Sequence, residues 1–334
     1  MTVGGKRTAH FFAGCLALTA LSGIVALTLG SFPTTLSDVA HGVLAFLTGN
    51  PAGSTGARVV SDLRLPRFLL GLLTGGALAA SGAVFQTVLT NPLADPYILG
   101  VSGGAAVGSV VAFVVGGGDW PLLQLLSFAG AALGALAVYW LAGVSGRRSP
   151  GRLILMGVIV GALMNAVILV LLALTPPGKV PEALFWLMGD LSRGGRNSLV
   201  ILIPLVGAGF LLLLALSRGL DVMLLGDEEA AATGLSVESF KGIAVGVASL
   251  LTGTVVAFTG LIGFVGLIIP HVVRRFTGGL HSRVLPGSFL AGGAFLVLSD
   301  AFSRILQPVG LLPVGAVTAL VGAPFFIVIL RRRA

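Results

Sequence analysis

The spacing of charges constrains this chain more than any other feature. Residues 8–37, 153–178, 197–217, 242–273 and 305–330 contain no Asp, Glu, Lys or Arg, and residues 68–146 contain only Asp95 and Asp119. A helix needs about 20 consecutive apolar residues to cross a bilayer, and unbroken runs of this length satisfy their backbone groups in lipid by coiling. Only 10% of the 334 residues are charged, against roughly 25% in soluble domains, so an ordinary soluble globule and a disordered chain are both excluded. Fifty glycines without a Gly-X-Y period exclude collagen. The chain reads as an all-α, polytopic membrane protein.

The runs divide into ten segments, near 11–31, 67–89, 97–117, 121–143, 152–174, 198–217, 241–260, 263–275, 285–305 and 314–331. The eighth is too short to cross alone. Residues 242–273 are too long for one helix and too short for two, and Pro270 with Gly260, Gly263 and Gly266 predicts a helix, a tight turn and a short return helix packed inside protein. A signal peptide is the competing reading of residues 1–31, but the run is long for one and no small-x-small cleavage site follows. With both termini cytoplasmic, 13 of the 20 basic residues fall on the inner side, among them Arg147, Arg148, Arg152, Arg274, Arg275 and Arg331 to Arg333. The positive-inside rule favours that orientation. The net charge of +8 therefore reports topology and does not call for nucleic acid.

No soluble domain interrupts the segments. The longest polar connections are 32–66, 176–197 and 218–240, so residues 1–334 are expected to form one transmembrane domain. No phosphate-cradling Gly-x-x-x-x-Gly-Lys-Ser/Thr loop occurs, so nucleotide chemistry must come from a partner. The single cysteine, Cys15, has no internal disulfide partner, and no Cys/His cluster offers a metal site. Small residues recur four apart at Gly71/Gly75, Gly100/Gly104/Gly108, Gly130/Gly134, Gly157/Gly161 and Gly242/Gly246. They predict close helix packing in a compact bundle.

Four stretches exceed what packing demands. Leu63-Arg64-Leu65-Pro66-Arg67 opens the second span on the outer side. It puts two arginines against the topology bias, either snorkelling to headgroups or meeting an acidic partner. Thr90 to Gly104 holds Pro92 and Pro96 four apart, which break the helix, with Asn91 and Asp95 able to satisfy the freed backbone. Leu224 to Leu235 places Asp227, Glu228 and Glu229 at the start of a short Ala-rich helix, where acids suit the dipole and Gly234 can end it. It is a solvated loop or a docking knob for a soluble partner. Thr259 to Arg274 includes His271, read as an interfacial structural histidine before the Arg274–Arg275 pair.

Together with Leu312 to Phe326, these stretches resemble, in order and spacing from about residue 60 onward, the permease subunits of type II ABC importers, which take up iron-siderophores, haem and cobalamin. The resemblance implies a ten-helix, non-catalytic subunit that pairs with a second copy around a central pathway in a bacterial or archaeal cytoplasmic membrane. Two cytoplasmic ABC ATPases use ATP and Mg below, and a periplasmic or lipid-anchored binding protein delivers cargo above. No cofactor is expected on this chain. Arg64, Arg67 and Arg304 match outer arginines that meet the binding protein. Asn91 and Leu93 match one constriction of the cytoplasmic gate, and Ser149, Pro150 and Gly151 lie where the other is expected, with residues that differ from the usual Ser/Thr run. Leu225, Gly226, Asp227, Glu228, Ala231, Gly234 and Leu235 match the segment, within 218–240, that couples to the ATPase. Leu311 stands where a Glu is usual, and Ala231 to Gly234 replace a more polar run.

Two other classes compete. A proton- or sodium-coupled transporter is expected to carry acids or histidines in its span centres, whereas the acids here cluster at span ends and only Asp300/Arg304 suggests an intramembrane ion pair. A membrane enzyme would need a catalytic constellation, and none is legible.

Overall fold

The computed structural model describes residues 3–30, 32–144, 148–306 and 312–331. Leu311, and with it Arg147, Arg332 and Arg333 of the charge count, lies outside the described residues. All ten expected segments are helical. They are α1 (Val3–Thr28), α4 (Leu65–Val88), α5 (Val101–Gly116), α6 (Trp120–Gly143), α7 (Pro150–Leu174), α9 (Arg196–Ala215), α12 (Val237–Thr259), α13 (Val265–Thr277), α14 (His281–Ile305) and α15 (Val314–Arg331). Among the described residues, seven helices are long and apolar enough to cross a membrane, while α5 and the apolar part of α15 (Val314–Ile327) are shorter, and α13 has only 13 residues.

The connections hold more helix than the sequence reading allowed. Residues 32–66 form α2 (Leu36–Thr48), α3 (Thr55–Arg58) and a π-helical turn, Val59–Arg64, that runs on into α4. Thr35 and Asp38 build a reciprocal capping box on α2, and Gly49 ends it in the left-handed region. Two further short helices, α8 (Val180–Leu187) and α10 (Ser217–Met223), also lie in the connections, and the short acidic helix expected there is α11 (Asp227–Ala232). The break in 242–273 falls at Gly260 to Phe264, where Gly260 and Phe264 both take positive φ, and α13 returns from it.

Helix α4 is the hub, buried almost without interruption from Leu70 to Val88 against α14, α12, α13 and α9. The glycines explain how closely it packs. A Cβ on Gly75 would collide with the carbonyl of Gly292 on α14, and one on Gly82 with the carbonyl of Gly266 on α13. The antiparallel pair α5 and α6 meets backbone to backbone, Gly104 against Gly130 and Gly108 against Leu126. With lipid on all sides, such van der Waals approach is what drives association. Gly161 and Gly246, by contrast, face open space.

The pairing sets two ends of the bundle. Arg67 and Asp300 meet where α4 begins and α14 finishes, and Thr87 meets His281 where α4 finishes and α14 begins. The loop after α4, the start of α7 and the acidic helix α11 all lie at this second end.

Candidate functional site

At the arginine end, three guanidinium groups surround one carboxylate and one helix terminus. Arg67 donates from Nε to both Asp300 oxygens at 3.0 Å and from Nη2 at 2.7 Å. Arg304 lies 3.3 Å from the same carboxylate, the ion pair anticipated inside the spans. Its terminal nitrogens donate to the carbonyls of Leu29 and Ala26 at 3.1 and 3.0 Å. Arg64 is buried, donating to the carbonyls of Leu27 and Thr28, to Thr34 Oγ1 and to Phe32 O. The last carbonyls of a helix have no intrahelical donor and carry its negative dipole end. Two of the three arginines matched to binding-protein docking therefore cap the end of α1, and Arg67 keeps its guanidinium nearest the surface, 22% exposed beside an Asp300 that is 5% exposed.

At the other end, the loop between α4 and α5 carries Asn91 and Leu93. Asn91 Oδ1 accepts from Leu93 N at 2.9 Å and Asp95 Oδ1 from Tyr97 N at 3.0 Å, so both side chains satisfy the backbone that the prolines free. Leu93 projects into solvent-accessible space. Burial pushes the Asp95 carboxyl up to about 6. Ser149 caps α7, its hydroxyl accepting from Arg152 N, with Pro150 in the first turn and Gly151 in open space. Among the described residues, no hydrogen bond or ion pair joins Ser149–Gly151 to Asn91 or Leu93 within one chain.

Helix α11 is short, acidic at its start and preceded by Gly226 at φ +109°, with Gly234 at +90° after it. Leu225 is 63% exposed, and Glu228, Glu229, Ala231 and Gly234 are exposed, while Leu235 is half-buried. Asp227 behaves differently. It receives Lys241 Nζ at 2.5 Å, and that lysine is 2% exposed. A buried ammonium must be paired, so Lys241 ties the acidic helix to α12, a tether the sequence reading did not find.

Between the ends, an open cavity of about 380 Å³ lies beside α5 and α7, lined among others by Tyr97, Ser102, Gly103, Gly161, Asn165 and Leu261. Asn165 is exposed at the middle of a 25-residue apolar helix. A polar side chain at that depth belongs in a bundle interior or a wet passage. Leu261 comes from the broken α12–α13 connection, whose Ile262 N–H and carbonyl both bond the Tyr97 hydroxyl at 2.9 and 3.1 Å. Non-helical backbone at membrane depth is tolerated where it lines such a cavity.

A bundle with a broken helix pair, a mid-depth cavity and an exposed acidic helix at one end has the make-up of a polytopic membrane permease. Comparison with known proteins identifies which kind. Residues 18–332 match the FecCD transport family, and the chain belongs to it. It is 43% identical over 277 residues to a cobalamin import system permease protein of Halobacterium salinarum, covering 82% of this chain and 74% of that one. It is 40% identical to an Fe(3+) dicitrate transport system permease protein of Escherichia coli, with 86% and 90% covered. A hemin transport system permease protein of Yersinia pestis is 37% identical, with 81% and 83% covered. A solved structure of a metal-chelate type ABC transporter in an inward-facing conformation superimposes with a TM-score of 0.84 at 29% identity, covering 97% of this chain and 99% of that one. The chain is the membrane-embedded permease subunit of an ABC importer.

Proposed function

We propose that the cargo is a metal chelate (an iron-siderophore or haem) or cobalamin, carried between this chain and a second copy of itself. The cavity is the observation that supports this cargo class. Its lining is glycine-rich, with Tyr97, Ser102 and Asn165 for hydrogen bonds and no charged residue. A bare ion in a low-dielectric passage needs fixed charge or a cage of carbonyls. A large, rigid chelate already encloses its metal and can pass along a wall that holds it weakly. The names of the relatives point to the same class.

In this reading the α11 end faces the cytoplasm, as do both termini, in an inner membrane of lipid. Two ATPase subunits, which use ATP and Mg, grip Leu225, Gly226, Asp227, Glu228, Ala231, Gly234 and Leu235. Asn91 and Leu93, with Ser149, Pro150 and Gly151, form the gate below the cavity. A substrate-binding protein docks at the other end on Arg67, with Arg64 and Arg304 fixing the surface around it. ATP binding closes the ATPase pair and biases the bundle between its openings, and this chain catalyses nothing itself.

The test is reconstitution in proteoliposomes with the partner ATPase and binding protein. Uptake of cobalamin, haemin or a ferric siderophore should require ATP and all three components. Uptake that runs on a proton or sodium gradient without the ATPase would overturn the reading in favour of a secondary transporter.

A further inference from the structure

The second end of the bundle contains a continuous set of hydrogen bonds, centred on the buried His281, that links the start of the acidic segment to the loop after α4. Asp221, on α10, accepts from the His281 backbone N–H and from its Nδ1, both at 2.7 Å. A carboxylate 60 positions away thereby caps α14, whose own preceding residue, Leu280, gives no side-chain cap. The His281 ring is completely buried, and with Nδ1–H given to Asp221 its Nε2 faces Thr87 Oγ1 on α4 at 2.8 Å.

Both ends of this bridge continue into the two segments assigned above to the ATPase and the gate. Leu224 N, the first residue of the acidic segment, donates to Asp221 O at 3.2 Å. On the far side, Thr90 N donates to Thr87 O and Asn91 N to Gln86 O, each at 3.1 Å, so the loop hangs on the last turn of α4. That turn is clamped from α13 as well. Arg274 Nη2 donates to Ala83 O at 3.0 Å and Thr87 Oγ1 at 3.3 Å, and Nη1 donates to Gln86 Oε1. Gln86 Nε2 donates to Gly266 O and Leu267 O at 3.3 and 3.1 Å. Gly266 sits four residues before Pro270, which has no N–H to offer, so Gln86 supplies the bond that the proline removes.

Buried polar groups are normally satisfied, and a local partner would suffice for that. Here the side-chain links instead join different elements, α10 to α14, α14 to α4 and α13 to α4, and local backbone bonds carry the two ends. We propose that Asp221, His281 and Thr87 are positioning residues that carry the displacement of the acidic segment to the Asn91–Leu93 loop, coupling ATP hydrolysis to gate movement. This rests on the assignment of those two segments given above. The members of such a network polarise and constrain one another, so a shift at one end strains the other.

The experiment uses the reconstituted importer and reads cargo moved per ATP hydrolysed, with wild type run alongside. ATP-driven uptake by wild type tests the function itself, and the variants test the relay only once that uptake is seen. Thr87→Val keeps the side-chain shape and removes the hydroxyl. It should assemble and hydrolyse ATP while the transport-to-hydrolysis ratio falls at least fivefold, and Thr87→Ser should restore the ratio to within twofold. The double variant Asp221→Asn/Thr87→Val should be no worse than the weaker single, because both cut one chain. A Thr87→Val ratio equal to wild type would overturn the relay, as would equal losses of transport and hydrolysis, which a merely structural role produces. Should Thr87→Val fail to assemble, Asp221→Asn, on a partly exposed carboxylate, is read by the same two outcomes.

Discussion

Arg67 and Asp300, 233 positions apart in the chain, form a bidentate ion pair that fastens the first turn of α4 to the last turns of α14. Asp300 is nearly inaccessible and also faces Arg304, so one carboxylate balances two guanidinium groups.

Removing that carboxylate leaves both arginines without their counter-charge. Asp300→Ala should lower stability by about 3–5 kcal/mol, the usual effect of breaking one side of a buried pair. Unfolding in detergent followed by thermal shift measures it. Arg67→Met combined with Asp300→Leu should recover most of the loss, because hydrophobic replacement of both partners avoids a stranded charge. A loss under about 1 kcal/mol in the single variant would mean that the pair is solvent-screened and structurally idle.

Arg67 is also the arginine proposed above to meet an acidic partner. Arg67→Glu should weaken binding-protein affinity at least tenfold at low salt, with the difference shrinking as salt rises. Affinity unchanged in a folded variant rejects docking at this face.

The tether between Lys241 and Asp227 predicts a separable defect. Lys241→Met retains bulk and frees Asp227, so α11 should lose its fixed pose while the bundle persists. Co-purification of the ATPase should fall several-fold, and Glu228→Lys with Glu229→Lys should weaken it further in a salt-dependent manner. Undiminished capture of the ATPase by both variants would sink the docking role of α11.

Backbone contact between α5 and α6 makes Gly104 intolerant of any side chain. Gly104→Val should abolish recovery of folded protein, because its first carbon would overlap the Gly130 carbonyl. Gly161→Val, on a glycine facing open space, should fold and so separate packing from a general glycine requirement. If it also lines the pathway as proposed, its transport rate should drop while its melting temperature holds.

Asp95 gives the loop after α4 a pH dependence. Its carboxyl is raised from 3.8 to about 6 by burial, so the folded state holds the proton more tightly than the unfolded chain. The stabilising contribution is complete below about pH 4 and is lost as pH rises through about 6. Melting curves between pH 4 and 7 should show this decline in wild type and not in Asp95→Asn. Parallel curves would show that Asp95 ionises as in water.

The charge gaps located the ten apolar helices, because lipid permits few alternatives for long apolar runs, and Pro270 with its neighbouring glycines located the α12–α13 break. Helix α2 was missed although Thr35-Leu36-Ser37-Asp38 spells its capping box, since a 13-residue amphipathic piece is easily read as a polar loop. The acidic segment was legible from its own residues, and α11 has the extent and the glycine end expected of it. The contacts of Arg64 and Arg304 with α1 were not legible, because the carbonyls they cap lie more than 30 positions from either. Lys241, Asp221 and His281 were passed over for the same reason: a lone charge beside an apolar run gives no sign of its partner.

What the sequence determined by itself is therefore whatever depends on the solvent: the ten long apolar segments, their approximate extents and the places where the backbone must break. Only the tertiary structure decided which polar groups meet, since such contacts join residues scores of positions apart and arise when helices pack in a specific register. Arg64 reads as a surface charge in the one description and as a cap on α1 in the other, and only packing distinguishes them.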